Sequence, residues 1–407
     1  MKAGTGYCNE KDAFFSGEKI AQQAVYEGDL YHPDFAIAFC HGLMDHYEFY
    51  NGLRKVLGND VPIIGGSAIG IITNKSLSYE GYPSGVIVIE SGKAGFQIVS
   101  ETGLEKDEKE TGKRFAEKLS QETNNKLLFI LYDSVKNPGN GNAPPILNAS
   151  SLLIEGIEEI ISPDIPIVGA GVLGDYDIKS TNQFCGFNVE TQSIAGIIFS
   201  GDFQPYYRIM HGCVPLDGVY HRITKMEGST IYELDNKPIV KMIDDIYGNQ
   251  AWRTQNPVSL LTIGVNHGGR FEEPKESDYV NRLIIGALPN GEGICIFEPD
   301  LKNGTEIQFM LRDSGKMIDS AKINSKQLMD QIAKDRRKPV AGIYIDCAGR
   351  AANYLNISTE EAYEVQKVFN EYNTPLLGFY SGVEIAPLLQ KSRGLDWTGV
   401  LLVLAGN

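Results

Sequence analysis

Positive charge is scarce in this 407-residue sequence. Lysine and arginine total 37 against 52 aspartate and glutamate residues, which gives a formal net charge of −15. Such a surface repels a phosphate backbone unless a local basic patch overcomes the repulsion. The dense basic run at residues 334–338 follows a helix-like segment, where cations favour a helix C-terminus. The composition therefore argues against nucleic acid as a partner.

Long hydrophobic runs are also missing. The longest apolar stretches, such as residues 400–405, are far shorter than the roughly 20 residues that a membrane-spanning helix needs. Residues 1–15 carry early charges and have no apolar core of a signal peptide. These two absences predict a protein that does not insert into a membrane and that stays in the cytoplasm.

Paired cysteines and common cofactor motifs are absent as well. The six cysteines are Cys8, Cys40, Cys185, Cys213, Cys295 and Cys347. They form no C-x-x-C pair, so we expect buried free thiols in a reducing compartment. His41 and His46 are five residues apart, which is a poor spacing for one helical face, and no H-E-x-x-H pattern occurs. The sequence therefore predicts neither a metal nor a cofactor.

One long irregular loop is expected at residues 137–145, which are rich in asparagine, glycine and proline. It lacks both glycine-rich forms that cradle phosphates. We expect a simple surface loop there, with a mobile lid over a pocket as the alternative.

The sequence does contain a degenerate internal repeat. Three runs begin with proline, continue with two aliphatic residues and reach a glycine, at residues 62–67, 166–171 and 375–380. A helix, a strand and a second helix are predicted before each run, and another aliphatic strand is predicted after it. Proline cannot continue a helix and imposes an extended backbone, which explains its position before each strand.

The predicted elements of the three copies follow one order of helix, strand, helix, strand and strand. Their bounds are 12–27, 35–40, 44–57, 63–69 and 86–90; 106–120, 127–132, 151–161, 167–173 and 194–200; and 325–335, 340–346, 359–372, 376–381 and 400–404. In the last helix, Ser358 and Glu361 have the spacing of a capping box.

Hairpin-like strands accompany this repeat, at 96–100 and 206–211 and, before the third copy, at 283–288, 294–297 and 306–311. Short links of this kind join antiparallel neighbours, so the sheets should be mixed. We therefore predict an α/β fold with mixed sheets, built from repeated units that form two associated domains, 1–220 and 221–407, which meet near residues 215–235.

The third copy contains the segments IDCAGR at 345–350 and PLLGFYSGVEIAP at 375–387. This pairing resembles the C-terminal FIST domain, in which C-x-G-R precedes a G-F-x-x-x-G-E-I-x-P-like segment. Here Val383 adds one residue between Gly382 and Glu384. The segments GGSAIG at 65–70 and HGCVPL at 211–216 resemble the N-terminal FIST domain and its junction.

The FIST resemblance implies an input module of intracellular signal transduction, a family name that also refers to F-box proteins. It implies a small polar ligand such as an amino acid. It also implies a signalling partner such as a histidine kinase or a chemoreceptor. These functions are implied by the resemblance alone, whereas the repeat itself predicts only the architecture.

Candidate ligand-binding residues lie on the matching segments. Arg350 follows a buried-looking strand, where ligand crevices open in α/β sheets, and its guanidinium offers a fork for a carboxylate. The alternative for Arg350 is a structural ion pair. Glu384 would accept from a ligand ammonium group, with a helix N-terminal acid as the alternative. Tyr380 and Ser381 would add hydroxyl contacts.

Two further segments carry candidate residues. Gly66 and Ser67 place a small residue and a hydroxyl at a strand end, with close packing of strand on helix as the alternative for the glycine. Cys347 beside Arg350 invites an enzymatic interpretation, with a buried inert thiol as the alternative.

Three hypotheses about function result. The first is a non-catalytic sensory protein that binds a small ligand through Gly66, Ser67, Cys347, Arg350, Tyr380, Ser381 and Glu384. The second is a hydrolase or transferase that uses Cys347 or Glu384, and it requires a base within reach of the thiol. The third is a protein-interaction scaffold without a ligand, and it requires a crevice filled by side chains.

Overall fold

The computed structural model describes residues 1–120, 122, 124–139 and 145–407, so part of the loop predicted at 137–145 lies outside the described residues. Over the described residues the chain forms eight α-helices and four large sheets, and the mixture of parallel and antiparallel strands confirms the predicted α/β class. The helices are α1 (Ala13–Glu27), α2 (His46–Leu57), α3 (Glu108–Glu117), α4 (Ser150–Glu158), α5 (Ile239–Tyr247), α6 (Ser314–Lys334), α7 (Ala352–Leu355) and α8 (Ala362–Glu371).

Each predicted copy forms a six-stranded sheet within the described residues. In spatial order, sheet 1 contains Lys2–Asn9, Pro83–Glu90, Phe35–His41, Ile63–Ala68, Gln183–Gly186 and Val189–Glu190. Sheet 2 contains Ala94–Thr102, Ser193–Gly201, Asn125–Asp133, Ile167–Val172, Val383–Leu388 and Lys391–Leu395. Sheet 3 contains Gln204–Met210, Gly399–Gly406, Lys338–Cys347, Leu376–Ser381, Ile71–Thr73 and Leu77–Ser78. The three lists have the same order, which confirms the internal repeat.

The last two strands of each sheet come from another copy. Ile71–Thr73 of the first copy lies in sheet 3, Gln183–Gly186 of the second lies in sheet 1, and Val383–Leu388 of the third lies in sheet 2. The three copies therefore exchange strands in a cycle. The division into two domains near residues 215–235 stays a prediction, since strands cross between its two parts.

The two central strands of each sheet are parallel and pair in equivalent registers. Their first partners are Ala36 and Ile63 in sheet 1, Leu128 and Ile167 in sheet 2, and Gly342 and Leu376 in sheet 3. The repeat proline precedes the second strand of every pair, as predicted. Because parallel strands end together, polar residues after them meet at one edge of each sheet.

A shared apolar core lies between the inner faces of the three sheets. Ile37, Phe129 and Ile343 contribute to it from sheets 1, 2 and 3 in turn, and all three are almost completely buried. The rings of Phe39 and Phe379 stack across it with centroids 3.9 Å apart. The outer faces pack on helices: α1 and α2 on sheet 1, α3 and α4 on sheet 2, and α6 and α8 on sheet 3. Both faces of each sheet are thus buried, which fits their aliphatic sequences.

Aspartate caps set the start of several helices. The side chains of Asp12, Asp45, Asp107 and Asp313 accept backbone N–H bonds from the first turns of α1, α2, α3 and α6. This contact satisfies donors that the helix itself leaves free. Because Asp313 is a cap, α6 begins at Ser314, eleven residues before the predicted start.

Paired glycines let the outer helices approach closely. A Cβ on Gly17 of α1 would lie 2.2 Å from the Phe49 carbonyl oxygen of α2, and one on Gly52 would lie 2.1 Å from that of Phe14. Gly112 of α3 and Gly156 of α4 occupy equivalent places, with 2.3 and 1.9 Å to the facing carbonyl oxygens. The repeat therefore includes the helix crossing as well as the strands.

A fourth sheet is inserted in the third copy, between Gln204–Met210 and α6. This inserted sheet contains Tyr279–Arg282, Leu261–Asn266, Glu306–Arg312, His221–Glu227, Thr230–Leu234, Ile294–Ile296 and Ile284–Ala287, with Cys213–Pro215 and Lys237–Pro238 attached. It includes the three predicted hairpin strands. Its Glu298 accepts from the backbone N–H groups of Ser150 and Ser151 at 3.2 and 3.1 Å. Glu298 thereby caps α4, whose own Ala149 provides no side-chain cap.

Two local predictions were wrong. The Ser358–Glu361 capping box does not form, because α8 begins at Ala362 and the Glu361 carboxylate binds Arg350 and Tyr344. No strand was predicted directly after the one at 376–381, but a further strand, Val383–Leu388, begins two residues later and contains Glu384. An isolated sequence shows neither exchanged strands nor distant ion-pair partners, so both errors have one origin.

Candidate functional site

A cavity of about 460 Å³ opens at the carboxyl ends of the central strands of sheet 3. We call it the strand-end cavity. It is lined by Ser134, Pro145, Leu147, Leu173, Tyr176, Asp177, Ile178, Asn256, Pro257, Leu283, Ile285, Phe297, Cys347, Ala348, Gly349, Tyr354, Ser381, Gly382 and Trp397. These residues come from loops of the second copy, strand ends of the third copy and the inserted sheet. The cavity therefore lies where three parts of the chain meet.

Most of the strand-end cavity is apolar. Leucine, isoleucine and phenylalanine side chains form one wall, and Tyr176 and Tyr354 stack at its exposed side with ring centroids 5.4 Å apart and planes 15° apart. The Tyr176 hydroxyl donates to the Ala348 carbonyl oxygen at 2.9 Å, which joins the second copy to the third. Concave apolar sites with a few polar groups are typical of small-molecule sites.

The polar floor of the strand-end cavity contains Ser134, Cys347 and Ser381. Ser134 Oγ donates to the Val172 carbonyl oxygen at 2.6 Å. Ser381 Oγ lies 2.8 Å from Glu384 Oε1 and 3.1 Å from the Asp346 carbonyl oxygen. Cys347 and Ser381 are thus the two predicted site residues that the structure brings together on the lining.

The thiol of Cys347 is held in its protonated form. Burial, followed by the charge of Glu384, raises its pKa well above the ordinary value for cysteine. No described histidine or lysine side chain forms a hydrogen bond to Cys347 Sγ. Because the thiolate is the nucleophile, this environment favours the inert thiol over the enzymatic interpretation.

Arg350 lies behind the lining and forms a closed ion-pair cluster. Its Nη2 donates to the two Glu361 carboxylate oxygens at 2.7 and 2.5 Å, and its Nε lies 3.2 Å from Asp346 Oδ1. Nη1 donates to the carbonyl oxygens of His211 and Trp397, both at 2.9 Å. Burial opposes the charge, but Glu361 and Asp346 more than offset it, so the pKa of Arg350 stays above its ordinary value. This geometry favours the structural ion pair that was the alternative for Arg350.

Glu384 and Tyr380 also lie outside the lining. Glu384 is fully buried in the strand Val383–Leu388, so the alternative of a helix N-terminal acid was wrong. Burial raises its pKa well above the ordinary value for glutamate, and Ser381 Oγ and the Thr398 backbone N–H contact its carboxyl group. The Tyr380 hydroxyl donates to Glu360 Oε2 at 3.0 Å. Neither residue presents a free polar group to the cavity.

Gly66 and Ser67 lie in sheet 1 and not on the lining. A Cβ on Gly66 would meet the Asn182 carbonyl oxygen at 2.3 Å, so this glycine is needed for close packing of the exchanged strand. Ser67 Oγ lies 2.8 Å from His46 Nε2 and accepts from the Asn182 backbone N–H at 3.0 Å. Both Ser67 and His46 are buried, so this contact joins α2 to the sheet.

Sequence reasoning missed Trp397 and Arg312. Trp397 lines the strand-end cavity with a left-handed backbone at φ 55°. Arg312 lies behind it, with its guanidinium carbon 3.4 Å from the centroid of the indole ring. Tryptophan occurs only twice in the chain, which is a usable signal for Trp397, whereas nothing in the sequence marks Arg312.

Another groove of similar volume, about 460 Å³, lies beside the strand Lys2–Asn9. It is lined by polar residues such as Gln23, Glu27, Asn74 and Lys75, and it includes none of the predicted site residues. Within the described part of the chain, no group of three histidine, cysteine or acidic residues is placed to hold a metal ion. No helix of that part is long and apolar enough to span a bilayer. We therefore base the functional argument on the strand-end cavity.

Comparison with known proteins identifies the family. Residues 34–237 match the FIST N domain, and residues 241–387 match the FIST C domain. The chain therefore belongs to the FIST family, whose members are sensory domains in signal transduction. This match confirms the resemblance that the sequence segments suggested.

Individual relatives are distant. An uncharacterized protein of Methanocaldococcus jannaschii is 23% identical over 256 residues, which cover 57% of this chain and 44% of that protein. The chain thus spans less than half the length of this curated relative. A crystal structure of a chorismatase aligns over 92% of this chain and 93% of its own, with 10% identity and a TM-score of 0.33. A PurLQS structure from Thermotoga maritima covers 100% and 72%, with 6% identity and a TM-score of 0.23.

Proposed function

We propose that this chain is a non-catalytic sensory protein that binds a small organic ligand in the strand-end cavity. The observation that carries the proposal is an open, mainly apolar cavity at the carboxyl ends of sheet 3, in a chain whose family is sensory. Its volume suits a ligand about the size of an amino acid or an aromatic acid.

The lining offers a route from ligand to signal. Tyr176 of the second copy, Cys347 of the third copy and Ile285 of the inserted sheet all contact the same space. A ligand that binds one arrangement of these parts better than another would shift the population of arrangements. Each arrangement presents a different protein surface, and a signalling partner such as a histidine kinase or a chemoreceptor would bind one of these surfaces better than the other.

The two rival hypotheses receive less support. An enzyme that uses Cys347 needs a base beside a thiol whose pKa is raised by burial. A scaffold without a ligand needs a crevice filled by side chains, whereas the strand-end cavity is open. Arg350, whose presence on the lining would have weighed further against the scaffold, lies behind it.

A thermal-shift screen against amino acids, organic acids and nucleotides tests the proposal. A ligand that binds only the folded chain adds about 2.7 kcal/mol at a hundredfold excess over its Kd. Ile285→Trp would fill the strand-end cavity, because Ile285 lies half-buried on its wall. Ile246→Trp on α5 is the matched control, since Ile246 is exposed and outside the lining.

The expected result is a shift that Ile285→Trp abolishes and Ile246→Trp retains. A shift that survives Ile285→Trp would place the ligand elsewhere. Silence across the whole panel would favour the scaffold hypothesis.

A further inference from the structure

Three arginines are almost completely buried, and one of them differs from the other two. Arg282 Nε donates to Asp300 Oδ1 at 2.8 Å, and Arg350 binds Glu361. Arg312 forms no ion pair with any carboxylate of the described residues. Its Nη1 and Nη2 donate to the carbonyl oxygens of Ser259 and Gly349 at 2.7 and 2.9 Å. The charge of Arg312 therefore has hydrogen-bond partners but no counter-charge.

The uncompensated charge is costly in this environment. Burial lowers the pKa of Arg312 to about 10, and the neighbouring Arg350 adds to the effect. Arg312 thus remains a cation at neutral pH. A buried cation without a paired anion is unusual, because desolvation is offset only by a close opposite charge.

Arg312 lies directly behind the lining of the strand-end cavity. It stacks on the ring of Trp397 and donates to Gly349, and both of these residues are on the lining. Nε of Arg312 and Nε1 of Trp397 are buried donors without a hydrogen-bond partner among the described residues. Two donors without a partner in the described part of the chain and one uncompensated positive charge therefore lie within or directly behind the same wall, where the wall covers both donor atoms.

The acidic groups nearby do not cancel this charge. Neither Glu384 nor Asp346 forms an ion pair with Arg312, because Ser381 and Thr398 contact the Glu384 carboxyl group and Asp346 lies 3.2 Å from Nε of Arg350. Glu361 is engaged by Arg350. Asp177 lines the cavity at its exposed side and is bound by Lys179 at 2.8 Å.

We propose that the strand-end cavity selects a monocarboxylate with an apolar or aromatic body, and that Arg312 and Trp397 form the wall that receives its carboxylate. This inference rests on the proposed function, since it names the ligand class of the same cavity. The anion supplies the counter-charge that Arg312 lacks and, once the Trp397 side chain moves aside, accepts from the two donors that this side chain covers in the free chain. The body packs on the leucine, isoleucine and tyrosine side chains of the lining.

The same arrangement disfavours a zwitterion. An amino acid needs an acceptor for its ammonium group. Glu384, which was predicted for that role, lies outside the lining and contacts Ser381 and Thr398, and Asp177 on the lining is bound by Lys179 at 2.8 Å. An ammonium group placed beside Arg312 would be repelled by it. The ligand class inferred here therefore excludes the amino acid that the family resemblance implies as an example.

Three matched probes test the inference by isothermal titration of the full chain: 3-phenylpropanoate, its uncharged amide and phenylalanine. A hydrogen bond to a charged group contributes enough for roughly a tenfold to hundredfold difference in affinity. We expect 3-phenylpropanoate to bind at least tenfold more tightly than either of the other two.

Two substitutions assign the effect to the wall. Arg312→Met should lower the affinity for 3-phenylpropanoate at least tenfold and leave that for the amide within about threefold. Trp397→Phe removes the indole N–H but keeps a ring, and it should lower carboxylate affinity by roughly threefold to tenfold. If Arg312→Met does not fold, the wild-type comparison of acid with amide and the Trp397→Phe variant still decide.

The outcomes separate this inference from the proposed function. Equal or tighter binding of the amide or of phenylalanine would overturn the carboxylate inference and leave a ligand-binding cavity in place. The same holds if only non-carboxylates from the wider panel bind. Binding by no probe and no panel compound would overturn both proposals together.

Discussion

Two buried arginines, Arg350 and Arg312, both contact Trp397, and they differ in the partners that satisfy their guanidinium groups. Arg350 donates to the Trp397 carbonyl oxygen and is neutralised by Glu361 and Asp346. Arg312 stacks on the Trp397 ring, and its hydrogen-bond partners among the described residues are all backbone carbonyls. A charge that the fold itself compensates holds the structure together, whereas a charge left uncompensated beside a cavity remains available to a ligand.

The largest expected effect concerns stability. Arg350→Met would leave Glu361 and Asp346 buried without their cation, and breaking a buried pair in this way costs about 3–5 kcal/mol. Arg312→Met removes a cation that has no buried anion and loses bonds to two carbonyls, so we expect a change of about 1 kcal/mol. The measurement is the free energy of unfolding in urea without ligand.

A double variant checks the assignment of Arg350. Combining Arg350→Met with Glu361→Leu should cost less than the sum of the two single changes, because the second removes the orphaned charge. Equal losses for Arg350→Met and Arg312→Met would break the contrast between a paired and an unpaired arginine.

His46 is a third buried base, and it avoids the cost of a buried charge by remaining neutral. Burial lowers the pKa of His46 to about 4 from an ordinary value of 6.5. Since the unfolded chain binds the proton first, stability is fully present above pH 6.5 and is lost as pH falls toward 4. The difference corresponds to about 3 kcal/mol.

His46→Gln should remove this part of the pH dependence while it keeps a hydrogen-bond partner for Ser67. Urea unfolding at a series of pH values between 4 and 7 gives the slope for both chains. Identical slopes for the variant and the wild-type chain would show that His46 titrates normally. The contrast between a buried base that stays charged, Arg312, and one that stays neutral, His46, would then be wrong.

The repeat was predictable from sequence because it rests on local patterns. Proline before Ile63, Ile167 and Leu376, aliphatic runs and helical periodicity are all readable without contacts. The exchange of short strands was not readable, since Ile71–Thr73 and Val383–Leu388 find their partners in other copies. Local propensity shows where strands are and leaves their partners open.

The site was predictable only in part, for the same reason. Cys347 and Ser381 lie at strand ends, where a topological rule places ligands, and they reach the lining. Arg350 follows that rule along the chain, but Glu361, eleven residues later, closes on it. Arg312 and Trp397 come from segments far apart in the sequence, so their stacking could not be predicted without the structure.

The smallest expected effect concerns the reactivity of Cys347. Its buried thiol should stay unmodified by iodoacetamide in the native chain, while the half-buried Cys295 reacts sooner. Peptide mass spectrometry after timed alkylation gives both rates. The positive charge of Arg312 opposes the rise in the pKa of Cys347, so Arg312→Met should make this thiol no more reactive. Fast alkylation of Cys347 that disappears in Arg312→Met would mean that Arg312 activates a nucleophile instead of receiving a ligand anion, and it would restore the enzymatic hypothesis.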